Sequence, residues 1–505
     1  MGDLVWKSRG LFGFPQKALR KHAIALGSSG SGKTETLFRM AYGAYKVYRQ
    51  QVVYLDIKGE TKREDEQGQD NAARFVATMQ AAGAKTVYVF PSLYYHGWQG
   101  TPQELKNRLL SVIDFSESAY YGDVAANVLD LALGAPTTPR HSRHFLANLN
   151  YERLKAVYQN DPDQYRRVLA LDMHLLQQVE MRYQVFFSAM AGQLDGTLDY
   201  VSADAVYLRV RGFTLRAEAP RLGRFLVADF MHYIAERRKP GVQTLFIIDE
   251  FNALRMREET SILFEQVRSF GGNLVISAQG YAGLGPYEYA ERILDACSTY
   301  ILHACSDPGP VARRAGKKFF LEVSWSEDEE GIPRKHIRPK YDWRIPETAV
   351  IQQEEGQAFW SYHGRSQQVQ TAMVPITAEQ IRVGWQEIHR QEEMQRQLLE
   401  VEAHRREEQR QQRQAGSTGN KGSDQQAKAT TRLGPKSSPR SGTQQKNRTG
   451  KDPVGRAQQP APAPKQQGGT GHPQPPHKPQ PGDATVNVPA PPAPSAPDDD
   501  EPDRL

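Results

Sequence analysis

The sequence predicts an α/β fold in which helices cover a mostly parallel sheet. Short apolar segments alternate with helical stretches, a Gly/Ser-rich loop follows the first of these segments, and a later one ends in two acidic residues. Alternation of this kind is typical of βαβ units, whose strands lie parallel. The chain has 505 residues, which is enough for two or three domains.

The strands of this sheet are predicted from short runs rich in Val, Ile and aromatic residues. In chain order they are KHAIALG, QVVYLDI, KTVYVF, DAVYLRVRGF, TLFIIDE, NLVISAQ and STYILHA. Three later segments, FFLEVSW, QAFWSYH and VQTAMV, are expected to pack at the edge of the sheet. The strands enclose helical stretches, so the parallel sheet is expected to be covered on its faces.

The strand pattern is interrupted between residues 91 and 201, where segments such as DVAANVLDLAL have helical spacing. We therefore predict one α/β domain formed by residues 1–90 and 202–376, with an all-α domain inserted at 91–201. A Thr377–Gln380 capping box predicts a helix over 377–414, solvated or in a weak coiled coil beyond its first apolar turns.

Residues 415–505 are predicted to be a disordered Gln/Pro-rich tail. No aromatic residue follows Trp385, and fifteen of the 32 prolines lie beyond Asp452. Residues 416–456 hold nine Lys or Arg against two acidic residues, whereas 457–505 hold three against six. The basic part could bind DNA phosphates and the acidic end a basic partner, or both could be a flexible solubilising extension; the sequence leaves these open.

Several features exclude other classes of protein. No run of about 18 apolar residues predicts a transmembrane helix, and the first residues lack the apolar core of a signal peptide. The two cysteines, Cys297 and Cys305, are too few for a disulfide framework or a four-ligand zinc site, and we expect them to pack in the core. The aromatic loop Leu93–Trp98 could stack on bases but is predicted to pack against its own domain. These features predict a cytoplasmic protein.

A phosphate-binding loop is predicted after the first strand, because this segment matches G-x-x-x-x-G-K-[ST]. Its residues are Gly27, Ser28, Ser29, Gly30, Ser31, Gly32, Lys33 and Thr34. The glycines let successive N–H groups surround phosphate oxygens at the start of a helix. Lys33 would reach the β- and γ-phosphates of ATP, and Thr34 would ligate Mg²⁺. A Gly-rich turn without this function would not need to lie between a strand and a helix.

Acidic residues predict the second half of an ATP site. Asp249 ends the strand TLFIID, where it could hold Mg²⁺, and Glu250 follows it and could polarise the attacking water. Gln279 follows the strand NLVISA and could sense the γ-phosphate, although alone it would be an ordinary loop glutamine. An acidic pair separated from the phosphate loop by a further strand is typical of RecA-like P-loop motors rather than of simple kinases. The domain of residues 1–90 and 202–376 is therefore predicted to be a RecA-like nucleotide-binding motor domain.

In combination, these motifs resemble those of the type IV coupling proteins of bacterial conjugation and type IV secretion. The matching segments are GSSGSGKT, LDIKGE, TLFIIDEFNAL, EQVRSFGGNLVISAQGYAGLG and ILDACSTYILHACSDP, in this order between about His22 and Pro375. Coupling proteins have a helical domain inserted at this point of the sheet. The resemblance implies a DNA-stimulated ATPase that assembles as a homo-hexamer and links a relaxase-bound DNA strand to a secretion channel.

The resemblance also implies roles for single residues. Asp249 and Glu250 would be the metal-binding and catalytic acids, Gln279 would be the sensor, and Arg268 would match the arginine finger that acts on the next subunit. In a monomer, Arg268 would be a solvated residue at a helix end. Most coupling proteins begin with transmembrane helices, which this sequence lacks, so membrane recruitment is expected only through a partner.

Two other functions remain open at this point. A double-stranded DNA translocase of the FtsK or HerA type shares the loop and the acidic pair. However, FtsK-type pumps usually end in a winged helix. HerA-type pumps usually have a β-barrel before the loop, whereas in this sequence only 26 residues precede Gly27. A nucleotide-switched scaffold that recruits substrates would bind ATP with poor turnover, and such a switch needs neither Glu250 nor Arg268.

Overall fold

Twelve strands occur in the part of the chain that this computed structural model describes, residues 6–7, 21–60, 62, 68–113, 119–255, 259–327 and 333–427. They are β1 (Trp6–Lys7), β2 (His22–Leu26), β3 (Gln51–Asp56), β4 (Val87–Phe90), β5 (Ala205–Arg209), β6 (Thr244–Asp249), β7 (Gly272–Ala278), β8 (Cys297–Leu302), β9 (Lys317–Glu327), β10 (Pro333–Trp343), β11 (Gln357–Tyr362) and β12 (Arg365–Thr371). Ten of them form one sheet, in the order β1-β12-β11-β8-β2-β7-β6-β3-β5-β4, and β9 pairs with β10.

The seven strands from β8 to β4 in this order are parallel to one another. Every residue of β2, β3, β5, β6 and β7 is buried, which explains why these strands are continuous apolar runs instead of alternating ones. The predicted α/β class is thus confirmed. β7 separates β2 from β6, as the position of the acidic pair predicted.

The edge of the sheet beyond β8 is antiparallel. β11 pairs with β8, β12 with β11, and β1 with β12, so the edge positions predicted for QAFWSYH and VQTAMV are confirmed. The prediction for FFLEVSW is wrong, because this segment lies in β9, which pairs with β10 in a separate ribbon. β10 has the sequence PRKHIRPKYDW, whose prolines and basic residues disfavour a sheet-core strand, so the pattern did not predict it.

Helices connect the strands and cover the sheet. They are α1 (Lys33–Tyr48), α2 (Asn71–Ala81), α3 (Pro102–Val112), α4 (Ala119–Gly134), α5 (Ser142–Asn148), α6 (Tyr151–Tyr158), α7 (Pro162–Leu169), α8 (Met173–Met190), α9 (Gly212–Leu215), α10 (Glu218–His232), α11 (Glu259–Ser269), α12 (Tyr287–Ala296), α13 (Gly309–Arg314), α14 (Glu347–Ile351) and α15 (Ala378–Ala427). α10 continues into a π-helical turn, Tyr233–Arg237, and short 3-10 helices follow at Phe251–Leu254 and Tyr281–Leu284.

Two apolar cores lie on the two faces of the sheet. On one face, α1 and α2 bring Phe38 and Phe75 against Tyr54 of β3, with ring centroids 5.4 and 5.5 Å from that of Tyr54. On the other face, Phe230 of α10 packs on Phe246 of β6 at 4.1 Å between ring centroids. The sheet is therefore held between helices on both sides, which fixes the positions of its strand ends.

Between β4 and β5 the chain forms α3 to α8, within the range 91–201 assigned to a helical insertion. Their core contains Trp98, Phe145 and Phe187, all buried and in mutual ring contact. The prediction that the Leu93–Trp98 loop packs is confirmed: Tyr95 and Trp98 are buried, and the Trp98 indole N–H donates to Asp195 at 2.7 Å.

Helix α15 starts with the predicted capping box. The Thr377 N–H donates to Gln380 Oε1 at 2.8 Å, and the Gln380 N–H donates to Thr377 Oγ1 at 3.2 Å. The expectation that its polar residues are solvated is wrong for two glutamines. Gln391 accepts from the Val89 N–H and donates to the Val87 carbonyl, and Gln395 is buried nearby. These contacts cover the outer edge of β4, which is the last strand of the sheet among the described residues.

Helix α15 ends at Ala427 rather than at the predicted residue 414. The chain divides into two units, Met1–Asp424 and Gln425–Leu505, and the sheet belongs to the first. Residues 428–505 of the predicted tail lie outside the described residues. In the parts of the chain that are described, no helix combines the length and apolar character needed to span a bilayer. Cys297 and Cys305 are buried free thiols, as predicted.

Candidate nucleotide-binding site

Four strand ends bring the predicted site residues to one edge of the sheet. Gly27 follows β2, Asp56 ends β3, Asp249 ends β6 and Gln279 follows β7. Because these strands are parallel and adjacent, their carboxyl ends lie side by side. Ligands of open α/β sheets bind at this edge.

The Gly27–Thr34 loop is anchored at the carboxyl ends of β7 and β8, the two strands that flank β2. The Gly27 N–H donates to the Ala278 carbonyl at 3.2 Å, and the Ser28 N–H donates to the Ala304 carbonyl at 2.7 Å. Helix α1 starts at Lys33, inside the motif, so the loop ends at a helix amino terminus. Backbone N–H groups at such a terminus attract anions.

Two glycines give the loop its curvature. Gly30 and Gly32 have φ angles of 78° and 96°, in the left-handed region that residues with a side chain seldom adopt. A Cβ atom on Gly32 would lie 2.9 Å from the Cα of Gly356, whose N–H donates to the Ser31 carbonyl at 3.1 Å. The turn before β11 therefore packs directly on the loop, and this contact requires glycine at position 32.

Lys33 bends back over its own loop. Its Nζ donates to the Gly27 carbonyl at 2.5 Å and to the Ser28 carbonyl at 2.9 Å. Burial lowers the pKa of Lys33 below its usual value, while the negative charges of Glu250 and Asp249 oppose this. A cation held in this position by carbonyl oxygens is available to phosphate oxygens, which bind an ammonium more strongly than neutral carbonyls do.

Asp249 lies in a buried cluster of hydroxyl groups and carboxylates. Tyr54 donates its hydroxyl to Asp249 Oδ2 at 2.9 Å, and Ser277 donates to Oδ1. Asp56, on the neighbouring strand, accepts from the Tyr207 hydroxyl at 2.6 Å. Burial, and then the charge of Asp249, raise the pKa of Asp56 to about 6. Paired carboxylates of this kind suit a hard divalent cation, which would relieve their repulsion.

Glu250 is fixed by three groups around it. Its φ angle is 60°, a left-handed value that is unfavourable for a residue with a side chain, and its N–H donates to Ser277 Oγ at 3.1 Å. Gln279 Nε2 donates to Glu250 Oε1 at 2.9 Å, and Lys58 Nζ lies 3.0 Å from the same oxygen. The carboxylate is thus held in one orientation at the mouth of the site, as a group that activates water must be.

These residues surround a cavity of about 320 Å³. Its lining residues are Ser29, Gly30, Gly32, Lys33, Thr34, Glu35, Asp56, Lys58, Asn71, Asp249, Glu250, Gln279 and Glu355. Thr34, the predicted Mg²⁺ ligand, shares the cavity with Asp249. The donor set fits a magnesium nucleotide: N–H groups and an ammonium for phosphates, and hydroxyl and carboxylate oxygens for Mg²⁺.

Arg268 lies apart from this cavity. It is exposed in the last turn of α11, which leads into the amino end of β7, whereas the cavity lies at the carboxyl ends. Burial lowers the pKa of His22, at the amino end of β2, to about 4, and the nearby positive charge of Arg268 contributes to this. The chain therefore does not bring Arg268 to its own nucleotide site.

Five lining residues were not among the predicted site residues: Glu35, Asp56, Lys58, Asn71 and Glu355. Asp56 and Lys58 stand in the segment LDIKGE, where a strand-ending Asp was visible but would alone have been assigned to a turn. Their role follows only from the pairing of β3 with β6, which places Asp56 opposite Asp249. Glu355 comes from the turn before β11, far away in the chain, and no signal in the sequence indicates it.

Comparison with known proteins identifies relatives by structure but not by sequence. No protein-family model matches the chain, and no curated protein matches it. The bacterial conjugative coupling protein TrwB is similar in its complex with ADP and Mg²⁺ (13% identity, 72% of this chain and 88% of TrwB covered, TM-score 0.53). Similar values hold for TrwB with the ATP analogue ADPNP (12%, 72% and 88%, TM-score 0.52) and for an unbound form (12%, 72% and 87%, TM-score 0.52). The chain therefore has the α/β fold of a bacterial conjugative coupling protein.

Proposed function

We propose that this chain is an ATP-hydrolysing motor that moves DNA, in the manner of the conjugative coupling proteins. The observation that supports this most is the convergence of Lys33, Asp249, Glu250 and Gln279 on one cavity, in the geometry described above. ATP with Mg²⁺ is the ligand that this donor set fits, and TrwB, which shares the fold, has been solved with ADP and Mg²⁺.

The proposed chemistry assigns one task to each residue. N–H groups of the Gly27–Thr34 loop and Lys33 bind the phosphates, and Thr34 and Asp249 hold Mg²⁺, which supplies charge neutralisation at the β- and γ-phosphates when bound. Glu250 orients a water molecule and accepts its proton as the water oxygen bonds to the γ-phosphorus, while the bond from that phosphorus to the β–γ bridging oxygen breaks and ADP leaves. Gln279 donates to Glu250 and so responds to any movement of the catalytic carboxylate.

Arg268 is proposed to complete the site of a neighbouring subunit. It is exposed and lies near the amino end of β7, whereas its own cavity lies at the carboxyl ends of the strands. It can therefore reach a nucleotide only in another copy of the chain. A guanidinium delivered in this way stabilises charge that develops on the γ-phosphate. A homo-hexameric ring is the assembly we propose. A relaxase or relaxosome and a type IV secretion channel are its proposed partners, with a cytoplasmic location and membrane contact through those partners.

The test is the steady-state ATPase rate without DNA, with single-stranded DNA and with duplex DNA. Glu250→Gln is expected to bind ATP but to lose turnover by a factor of about 100 or more. Arg268→Ala alone should be inactive. An equal mixture of Arg268→Ala with Glu250→Gln should regain activity at those interfaces that pair an intact Glu250 with an intact Arg268.

Each outcome distinguishes between the functions considered. Stimulation by single-stranded DNA supports the coupling-protein function, whereas stimulation only by duplex DNA favours a duplex translocase. If the wild-type chain binds ATP and turns it over no faster than Glu250→Gln with any DNA, the motor is rejected in favour of a nucleotide switch. If the mixture gains no activity, the role of Arg268 in a neighbouring site is rejected.

A further inference from the structure

An exposed phenylalanine stands next to the nucleotide site. Phe213, in the short helix α9 after β5, is 82% exposed, the highest value among the large apolar residues that the structure describes. Arg211 and Arg216 flank it, and Arg216 is exposed. Single exposed apolar residues are common on proteins, so this observation alone indicates no function.

Hydrogen bonds from its backbone fix the turn that carries Phe213. Glu60 Oε1 accepts from the N–H groups of Phe213 and Thr214 at 2.7 and 3.1 Å, and Glu60 Oε2 accepts from the Thr214 hydroxyl at 3.1 Å. A Cβ atom on Gly212 would lie 2.7 Å from the Ile57 carbonyl oxygen, so the turn also packs on the backbone of the Ile57–Glu60 segment. The phenyl ring is thus held out into solvent by contacts that do not involve the ring.

The same segment contacts the catalytic carboxylate. Lys58, two residues before Glu60, places its Nζ 3.0 Å from Glu250 Oε1. Its own N–H donates to Asp56 Oδ1 at 3.1 Å, and the Val210 N–H donates to the Asp56 carbonyl at 2.8 Å. The Lys58–Glu60 segment therefore links Glu250 to the Phe213 turn, and a displacement of this segment when Glu250 changes partners would move that turn.

We propose that the turn Arg211–Arg216 is a contact site for single-stranded nucleic acid, coupled to the nucleotide site through Glu60 and Lys58. This inference rests on the proposed function. An exposed aromatic ring on a fixed turn stacks on an unpaired base of any sequence, and flanking arginines bind the phosphates on either side of it. In a duplex the bases are stacked on each other and offer no face to the ring, so a single strand is the ligand that the turn fits.

Binding is measured by fluorescence anisotropy of a labelled oligothymidylate of about 30 nucleotides, long enough for more than one site. Phe213→Ala is expected to weaken binding about 10-fold, the effect of losing one stacked base, whereas Phe213→Trp should bind at least as tightly as wild type. Phe319→Ala is the matched control, because Phe319 is also exposed, at 57%, but lies on the β9–β10 ribbon. Since Phe213 is so exposed, its variants should melt at the wild-type temperature.

Coupling is tested separately with Glu60. Glu60→Ala should lower the maximal DNA-stimulated ATPase rate at saturating DNA, while Glu60→Gln, which keeps one acceptor oxygen for the two N–H groups, should restore much of it. If Glu60 served only in folding, Glu60→Ala would change the melting temperature. It would not lower the maximal rate while leaving unchanged the DNA concentration that gives half-maximal stimulation.

The outcomes separate this inference from the proposed function. If the wild-type chain binds the oligothymidylate and Phe213→Ala binds it equally well, the inference is overturned and the DNA motor stands. The turn would then be a candidate contact for a protein instead. If Phe319→Ala weakens binding as much as Phe213→Ala, a specific role of the turn is also rejected. If the wild-type chain neither binds DNA nor responds to it, both proposals fail.

Discussion

Lys58 Nζ lies 3.0 Å from Glu250 Oε1, on the oxygen that also accepts from Gln279. The pair is partly open to solvent, since the Lys58 side chain is 54% exposed, so its contribution to stability is small. In the proposed mechanism the pair orients the carboxylate, because two donors on Oε1 leave Oε2 for the attacking water. The adjacent strands β3 and β6 bring the two residues together.

Replacing Lys58 therefore tests how far Glu250 depends on its neighbours. We expect Lys58→Met to lower the kcat for ATP hydrolysis about 10-fold or more, because small misplacements of a catalytic group are costly. Lys58→Arg, which retains the charge, should lose less. Steady-state kinetics over a range of ATP concentrations give the answer. A raised KM with unchanged kcat would contradict the orienting role and would show that Lys58 contacts the nucleotide instead.

The packing of the phosphate loop predicts different effects for its two left-handed glycines. Gly32→Ala should abolish measurable nucleotide binding, because the new Cβ would lie 2.9 Å from the backbone of Gly356. Gly30→Ala is the matched control: its φ is also positive, but nothing lies within 4 Å of the added atom. It should cost only backbone strain of about 1 kcal/mol, or roughly fivefold in affinity.

Titration with a fluorescent ADP analogue measures both glycine variants. Equal losses in Gly30→Ala and Gly32→Ala would mean that backbone strain alone decides the effect, and the proposed contact with the turn before β11 would then be unimportant for binding. Wild-type affinity in Gly32→Ala would contradict the expectation directly.

The sequence predicts the sheet and the loop well because these depend on local patterns. Buried parallel strands are continuous apolar runs, and the Gly27–Thr34 motif needs its residues next to one another in the chain. Lys58 and Glu355 could not be predicted in the same way. Their positions depend on which strands are neighbours and on a turn that returns from beyond the β9–β10 ribbon. Likewise, Gln391 became a partner of β4 only through the docking of α15 on the sheet edge.

The contacts of His22 predict how the free energy of unfolding changes with pH. Its ring contacts the Phe264 carbonyl through Nε2 at 2.6 Å and accepts from the Leu274 N–H through Nδ1 at 3.0 Å. A carbonyl can only accept and an N–H can only donate, so these contacts need the neutral ring with its proton on Nε2. Burial accordingly lowers the pKa of His22 from 6.5 to about 4.

Because the unfolded chain binds this proton more readily than the folded one, His22 lowers stability as pH falls from about 6.5 to about 4. The shift corresponds to a loss on the order of 3 kcal/mol. Urea unfolding of wild type and His22→Gln at pH 7 and pH 4.5 measures this. Wild type should lose more stability than the variant on acidification. An equal loss in both would show that His22 does not titrate as its contacts require.

A buried ion pair joins α3, which follows β4, to α10, which precedes β6. Arg108 of α3 and Asp229 of α10 are both fully buried, with 2.9 Å between Arg108 Nη1 and Asp229 Oδ1. Arg108 Nη1 also donates to the Gly97 carbonyl at 2.9 Å, and Arg237 contacts the same oxygen of Asp229 at 2.5 Å. Removing Arg108 leaves Arg237 as the remaining cation beside the buried charge of Asp229 and takes a donor from the Gly97 carbonyl, in a medium of low polarity.

Arg108→Ala should therefore lower the free energy of unfolding by about 3–5 kcal/mol. Arg382→Ala is the matched control, because Arg382 pairs with Glu379 on α15 with both side chains more than half exposed, and its loss should cost less than about 1 kcal/mol. Urea unfolding monitored by tryptophan fluorescence compares the two, and Trp98 in the insertion reports on the affected region. A similar small loss in both variants would mean that neither the charge of Arg108 nor the packing of its side chain holds α3 against α10. Arg108→Met keeps the packing without the charge and therefore separates these two causes. It should lower the free energy of unfolding nearly as much as Arg108→Ala only if the buried charge of Asp229 decides the effect.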